Sequence, residues 1–265
     1  MINVGVTGAL GKMGSEVVKT VINNNEQKGE MTLVMAVDKF RTGENVFGDV
    51  VIESDLDRAL EANKPDVVVD FTQPSAVFEN TKKYLKAKVK PVIGTTGLTA
   101  AQIEELKELS KENNTGCIIA PNFAVGAVLM MMFSKMAAKY FNNAEIIEMH
   151  HNQKKDAPSG TAIKTAQMMA EVNSDFTFGN CAETESIQGS RGGNFTQNGE
   201  GNIHIHSVRM PGFVASQEVI FGAMGQTLTI RHDTINRECF MSGVELAIKH
   251  VYNNNEFIYG LENIL

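Results

Sequence analysis

A chain of 265 residues with 43% hydrophobic and 21% charged side chains can bury one large core or two modest ones without help from metals or disulfides. Its formal net charge of -7 repels phosphate-rich polymers, so nucleic acid is not an expected partner, although local spots such as Lys154 and Lys155 can still attract a small dianion. Cys117, Cys181 and Cys239 lie far apart in no CxxC spacing, no apolar stretch approaches the roughly 20 residues of a membrane span, and the chain starts on a strand pattern without a basic leader; a reducing cytoplasm fits best, with no membrane association.

From the start to Ala120, short apolar runs (Ile2 to Thr7, Leu33 to Val37, Val67 to Phe71, Pro91 to Ile93, Cys117 to Ala120) alternate with longer polar segments of helical period. One such segment begins at Ala100 and spaces Ile103, Leu106 and Leu109 for one helix face. That rhythm predicts a parallel sheet covered by helices, the doubly wound α/β arrangement. After Asn122 the pattern changes. A Met-rich helix, in which Met130 to Met132 read as core, precedes the strand AEIIEMH, the segment HNQKKDAPSGTAIKTAQMMAEV and a Gly-rich stretch over 189–201. Three alternating segments follow, NIHIHSVR, SQEVIFGA and QTLTIRH, expected as antiparallel neighbours turning at PGF and MGQ. This second half reads as α+β. A last helix in TINRECFMSGVELAIKHVYNNN is expected to return to the first half, and Asn23 to Asn25 and Asn253 to Asn255 read as helix ends.

The clearest local motif is INVGVTGALGKMGSEVV, where Gly8, Gly11 and Gly14 follow a strand and open a helix. Glycines there allow a tight turn, close approach of a pyrophosphate and close helix packing, with amides and the helix dipole facing the anion. The spacing is GxxGxxG and not the commoner GxGxxG. Asp38 ends the next strand near the offset, roughly 20 residues on, at which an acid accepts hydrogen bonds from ribose hydroxyls. Lys39 beside it supplies a cation where a 2′-phosphate would lie. VDFTQPS and VIGTTG place small or hydroxyl residues at strand C-termini, with Gly94, Thr95 and Thr96 expected near the nicotinamide half, and APNF, Ala120 to Phe123, ends a further strand where the Asn122 amide suits a carboxamide.

Reactive groups concentrate in EMHHNQKKDAPSGTA. Consecutive strand residues face opposite ways, so His150 and His151 are not expected to serve one point equally. Ser159, Gly160 and Thr161 begin a helix, offering amides and hydroxyls to a carboxylate, with Lys154 as countercharge. Other readings are weaker. A metal site at His150, His151, His204 and His206 would sit beside Lys154 and Lys155, which repel a cation. A dinucleotide-binding redox sensor has no use for the histidine and SGT cluster, and another two-domain dehydrogenase acting on an amino-acid-derived substrate is the nearest enzymatic alternative.

GALGKMG, DFTQPS, VIGTTGL, APNFAVG and EMHHNQKKDAPSGTA, in this order over nearly the whole chain, resemble the motifs of the 4-hydroxy-tetrahydrodipicolinate reductase (dihydrodipicolinate reductase) family. The resemblance implies NAD(P)H-dependent reduction of a cyclic dicarboxylate in lysine and diaminopimelate biosynthesis. It implies an α/β Rossmann-type nucleotide domain over 1–122, rejoined by 235–265, plus an α+β substrate and oligomerisation domain over 123–234 with an open mixed sheet and a homotetramer. NADH or NADPH would be bound by Gly8, Ala9, Leu10, Gly11, Lys12, Met13, Asp38, Lys39, Gly94, Thr95, Thr96, Ala120, Pro121, Asn122 and Phe123. Substrate would be bound by His151, Lys154, Ser159, Gly160 and Thr161, with His150 as the catalytic acid/base and Lys154 assisting. Two positions depart from the family pattern: Lys39 stands where Arg is frequent, and Ser216 where His is common.

Overall fold

A computed structural model describes residues 1–176, 193–195 and 203–265. Cys181 and, apart from 193–195, the Gly-rich stretch 189–201 lie outside the described residues. In chain order the elements are β1 (Ile2–Thr7), α1 (Gly14–Gln27), β2 (Met31–Val37), β3 (Asn45–Phe47), β4 (Val50–Glu53), α2 (Leu56–Asn63), β5 (Val67–Asp70), α3 (Pro74–Lys86), β6 (Lys90–Ile93), α4 (Ala100–Glu112) and β7 (Cys117–Ile119). They continue with α5 (Val125–Ala137), β8 (Asn143–His150), α6 (Gly160–Ala170), β9 (Gly193–Phe195), β10 (Ile203–Arg209), β11 (Ala215–Ala223), β12 (Gln226–Thr234), α7 (Met241–Asn253) and β13 (Phe257–Tyr259). The chain divides into two compact units, 1–123 with 237–265, and 124–236.

The first unit carries a sheet in the order β13-β7-β6-β5-β1-β2-β4-β3, parallel throughout except where β3 runs against β4. Val67, Val68 and Val69 are all fully buried because helices cover both faces, which is why β5 is an unbroken apolar run in the sequence. Met35, Val68, Tyr84, Leu85, Ile93 and Leu106 belong to one core cluster of this unit. The C-terminal segment belongs here too: α7 packs on β5, β6 and β7, and β13 adds a parallel strand beyond β7. Asn23 to Asn25 lie inside α1, which runs on to Gln27; Asn24 is buried and its Oδ1 accepts from the Met31 amide at 3.1 Å, so it ties the helix to the start of β2.

At the C-terminal end of β5, Asp70 is fully buried and accepts five hydrogen bonds: from the Thr72 amide (3.0 Å) and hydroxyl (2.7 Å), Thr95 Oγ1 (2.9 Å), Asn80 Nδ2 (3.2 Å) and Tyr84 OH (2.9 Å). Burial first, and then the Asp70 charge, push the Tyr84 phenol well above its ordinary range, so it remains a donor. One carboxylate thereby fixes the loops that leave β5 and β6.

The second unit builds a sheet in the order β12-β11-β8-β10-β9. Here β11 and β12 pair as an antiparallel hairpin turning at Gly225, but β10 and β11 are not neighbours: β8 lies between them, parallel to β10 and antiparallel to β11. The turn expected at PGF exists, with Gly212 at φ +98°, yet its connection steps over β8, and the Met210 amide donates to the His150 carbonyl at 3.1 Å. Alternating polarity fixes which face a residue takes and leaves the neighbouring strand open. Ala162, Ala166 and Met169 of α6 pack with Ile146, Val219 and Phe221 of the sheet; of the three methionines expected in the core, Met130 and Met131 of α5 are buried and Met132 is half-buried.

Candidate active site

In the first unit the glycine loop is held by its own backbone. Gly8 has φ +73°, and a Cβ there would overlap the Phe71 carbonyl; one at Gly14 would overlap the Gly8 carbonyl, so α1 starts against the loop only because both lack side chains. The amides of Gly8 and Ala9 donate to Val37 O at 2.9 and 3.2 Å, and that of Gly11 to Gly8 O at 2.9 Å. Asp38 accepts from the Leu10 amide through Oδ2 (3.0 Å) and from the Phe40 amide through Oδ1 (3.2 Å). Since a carboxylate has about four acceptor positions, two bonds leave capacity for further donors.

Helix α1 has no side-chain cap at Met13, so an anion suits its N-terminus. A cavity of about 370 Å³ beside the loop is lined by Gly8, Leu10, Gly11, Asp38 and Lys39 and, on its other wall, by Phe71 and Thr72. The remaining residues expected around a dinucleotide stand at the C-terminal ends of β6 and β7. A Cβ on Gly94 would strike the Phe71 ring, which packs edge-on to Phe123 at 5.8 Å between centroids. Thr95 is turned inward to Asp70, whereas Thr96 and Pro121 are exposed; Ala120 is buried and Asn122 is half-buried.

The second unit gathers its reactive groups on Glu148. Glu148 and His150, two apart on β8, face the same side, and Glu148 Oε2 lies 2.5 Å from His150 Nδ1. Arg209, beside His150 in register at the end of β10, grips both carboxylate oxygens, with Nη1 at 2.7 Å from Oε2 and Nη2 at 2.6 Å from Oε1. The Ser159 amide donates to Oε1 at 3.1 Å. Ser159 also caps α6, its Oγ accepting from the Ala162 amide at 3.2 Å.

Burial raises the proton affinity of Glu148, but the bonds from His150, Arg209 and Ser207 outweigh it and bring the carboxyl down to about 2. His151 lies beyond the strand end and is exposed, so the two histidines part company as expected. Lys154 Nζ donates to both oxygens of Asp156 at 2.7 Å, and that bond above all lowers the Asp156 carboxyl. Gly160 opens α6 at an exposed position where an added Cβ would meet no protein atom within 4 Å, so packing does not demand a glycine there.

A family model described as dihydrodipicolinate reductase, N-terminus, matches residues 2–123, and one described as dihydrodipicolinate reductase, C-terminus, matches residues 126–265. This chain belongs to the dihydrodipicolinate reductase family. Curated relatives include the 4-hydroxy-tetrahydrodipicolinate reductases of Lysinibacillus sphaericus (48% identical, covering 100% of this chain and 99% of the relative) and Listeria innocua (51% identical, 99% of each). Among solved structures, a dipicolinate-bound dihydrodipicolinate reductase from Paenisporosarcina sp. TG-14 aligns with a TM-score of 0.89 at 48% identity over 100% of both chains. An amine dehydrogenase from Mycobacterium smegmatis aligns with a TM-score of 0.65 at 13% identity over 95% of this chain and 92% of its own, a likeness of fold alone.

Within this reductase family chain, the residues that sequence reasoning passed over are Asp70, Glu148 and Arg209. The i, i+2 spacing of Glu148 and His150 on one strand was a usable signal. Arg209 offered none, being 61 positions from Glu148. Among the described residues no group of three or more His, Cys, Asp or Glu is placed to hold a metal ion; His206 Nε2 lies 2.8 Å from Glu145 Oε2.

The two helix-opening glycines differ in kind, which urea unfolding can read. Gly14→Ala should lose about 1–3 kcal/mol despite the better helix propensity of alanine, because the overlap is with backbone. Gly160→Ala should stay within about 0.5 kcal/mol of wild type. Equal losses would contradict the assignment of Gly14 to packing and of Gly160 to open space.

Proposed function

We propose that this protein reduces 4-hydroxy-tetrahydrodipicolinate to tetrahydrodipicolinate with NADH or NADPH, a step of lysine and diaminopimelate biosynthesis. The observation that carries the reading is the convergence of His150 and the N-terminus of α6 on one buried carboxylate, in a chain 48% identical over its full length to a reductase solved with dipicolinate.

The first unit binds the dinucleotide. Because the amides of Gly8, Ala9 and Gly11 already donate to backbone carbonyls, the pyrophosphate is received by Lys12 and Met13 at the uncapped start of α1. Asp38 takes the ribose hydroxyls with its remaining acceptor capacity, and the exposed Lys39 faces a 2′-phosphate when NADPH is used. Gly94, Thr95, Thr96 and Ala120 to Phe123 line the nicotinamide end, Thr95 by holding its loop through Asp70. When bound, the nicotinamide supplies a hydride to the electrophilic far carbon of the dehydrated, conjugated ring imine.

The second unit binds the ring. Gly160 and Thr161 receive a ring carboxylate at the start of α6, where the helix dipole favours an anion, with Ser159 and His151 flanking it. Lys154 exchanges Asp156 for the substrate and stabilises negative charge on it. With Nδ1 turned to Glu148, His150 presents Nε2, from which a proton passes to the ring carbon beside the hydride acceptor; solvent then restores the proton.

A homotetramer in the cytoplasm completes the proposal. Among the described residues the nine-residue strand β12 is an outer strand of its sheet with Leu228 exposed, a surface that calls for cover by another copy, and the thiol of Cys117 suits a reducing compartment.

The decisive assay couples dihydrodipicolinate synthase to this protein and follows loss of NADH or NADPH absorbance. Turnover with either cofactor is expected, and His150→Gln should lower kcat by about 10² to 10⁴ with unchanged dinucleotide affinity. Absence of turnover with both cofactors would refute the function, and full activity of the variant would remove His150 from it. Light scattering should give four times the chain mass; a monomer mass would refute the tetramer.

A further inference from the structure

A histidine that donates a proton needs a fixed ring orientation and a defined tautomer. We infer that Glu148 is the positioning residue of this site, locking the neutral imidazole of His150 as the Nδ1–H tautomer and tying that ring to the N-terminus of α6; this inference rests on the function proposed above.

The geometry is restrictive. Glu148 has zero exposure, so water does not share its lone pairs, and it is held by Arg209 Nη1 and Nη2, the Ser159 amide and the Ser207 side chain, with His150 Nδ1 against Oε2. The guanidinium is always protonated and a backbone amide cannot accept, and a charged fork on both oxygens with the amide on Oε1 favours the ionised carboxylate, as the lowering of its carboxyl to about 2 reflects. Nδ1 therefore carries a proton in both charge states of His150. The proton that comes and goes is on Nε2, and its departure leaves a neutral ring still bonded to Glu148.

The same carboxylate holds the Ser159 amide, and Ser159 caps α6. Donor ring and carboxylate-binding helix end are thus set from one point, with Arg209 further pinned by its Nη2 bond to the Asp156 carbonyl at 2.8 Å.

Glu148→Gln is isosteric and separates these roles. Its single amide oxygen is best placed at the Oε1 position, where it still accepts from Arg209 Nη2 and the Ser159 amide while the Nη1 bond at Oε2 is lost; the opposite orientation sets an NH₂ group against both Nη2 and the Ser159 amide. The NH₂ then faces His150 Nδ1, which must turn acceptor, so the neutral ring becomes the Nε2–H tautomer. Giving up that proton would leave an imidazolate. The helix end, by contrast, keeps its tie.

The variant should therefore lose at least about 100-fold in kcat while the KM for the ring substrate and the dinucleotide affinity stay within about threefold. In ¹⁵N-histidine NMR of the full chain, at a pH where imidazoles are neutral, His150 should show a protonated Nδ1 in wild type and a protonated Nε2 in Glu148→Gln. A wild-type Nε2–H tautomer overturns the inference, whether or not the variant folds. So does a variant with wild-type kcat. If wild type fails to turn over the substrate, the proposed function falls, while the tautomer measurement still decides the role of Glu148.

Discussion

Glu148 sits with no solvent exposure between two strands and a helix end, and its negative charge is tolerable there only because donors surround it. An isolated carboxylate in such a place would protonate. The bidentate Arg209 fork, the imidazole and the Ser159 amide offset the loss of water and carry the carboxyl to about 2. Because the folded value is depressed, the stabilisation is complete above the ordinary glutamate range and drains away as pH falls towards 2. Removing one partner alone would leave an uncompensated buried charge, a loss of about 3–5 kcal/mol for pairs of this type. The His150 ring and the capped start of α6 are both hung from one carboxylate, so the proposed proton donor and anion site share its rigidity.

The first unit solves a similar problem with neutral donors. Asp70 is as deeply buried, but its five hydrogen bonds come from hydroxyls, an amide side chain and a backbone amide. Tyr84, whose phenol is held protonated by burial and by the Asp70 charge, is the most distant of these donors in the chain after Thr95. The result is that the loops after β5 and β6 leave the sheet in fixed directions, with Phe71 between them. In both units a buried carboxylate holds residues proposed to contact ligand.

Much of this was legible in the sequence where a residue's role is set by its immediate neighbours. The parallel sheet announces itself because strands buried on both faces are unbroken apolar runs, as at Val67 to Val69. Gly8 and Gly14 are readable because only glycine fits against the carbonyls they approach, and Ser159 because a helix cap is a local motif. What stayed hidden depends on partners far along the chain. The insertion of β8 between β10 and β11 is invisible to a pattern of period two, and Asn24 looks like a helix end until Met31 is seen to occupy its side chain. Asp70 reads as a strand end before Tyr84, Asn80 and Thr95 fold over it. Arg209 meets Glu148 only through the parallel register of β8 and β10.

The ionised, fully donated state of Glu148 is the central claim, and its own titration tests it most directly. With ¹³C-carboxyl-labelled glutamate and the Glu148→Gln spectrum to assign the resonance, the Glu148 carboxyl should remain ionised as the pH is lowered and begin to protonate only near 2. A midpoint at the ordinary glutamate value of about 4.3 or above would contradict the account.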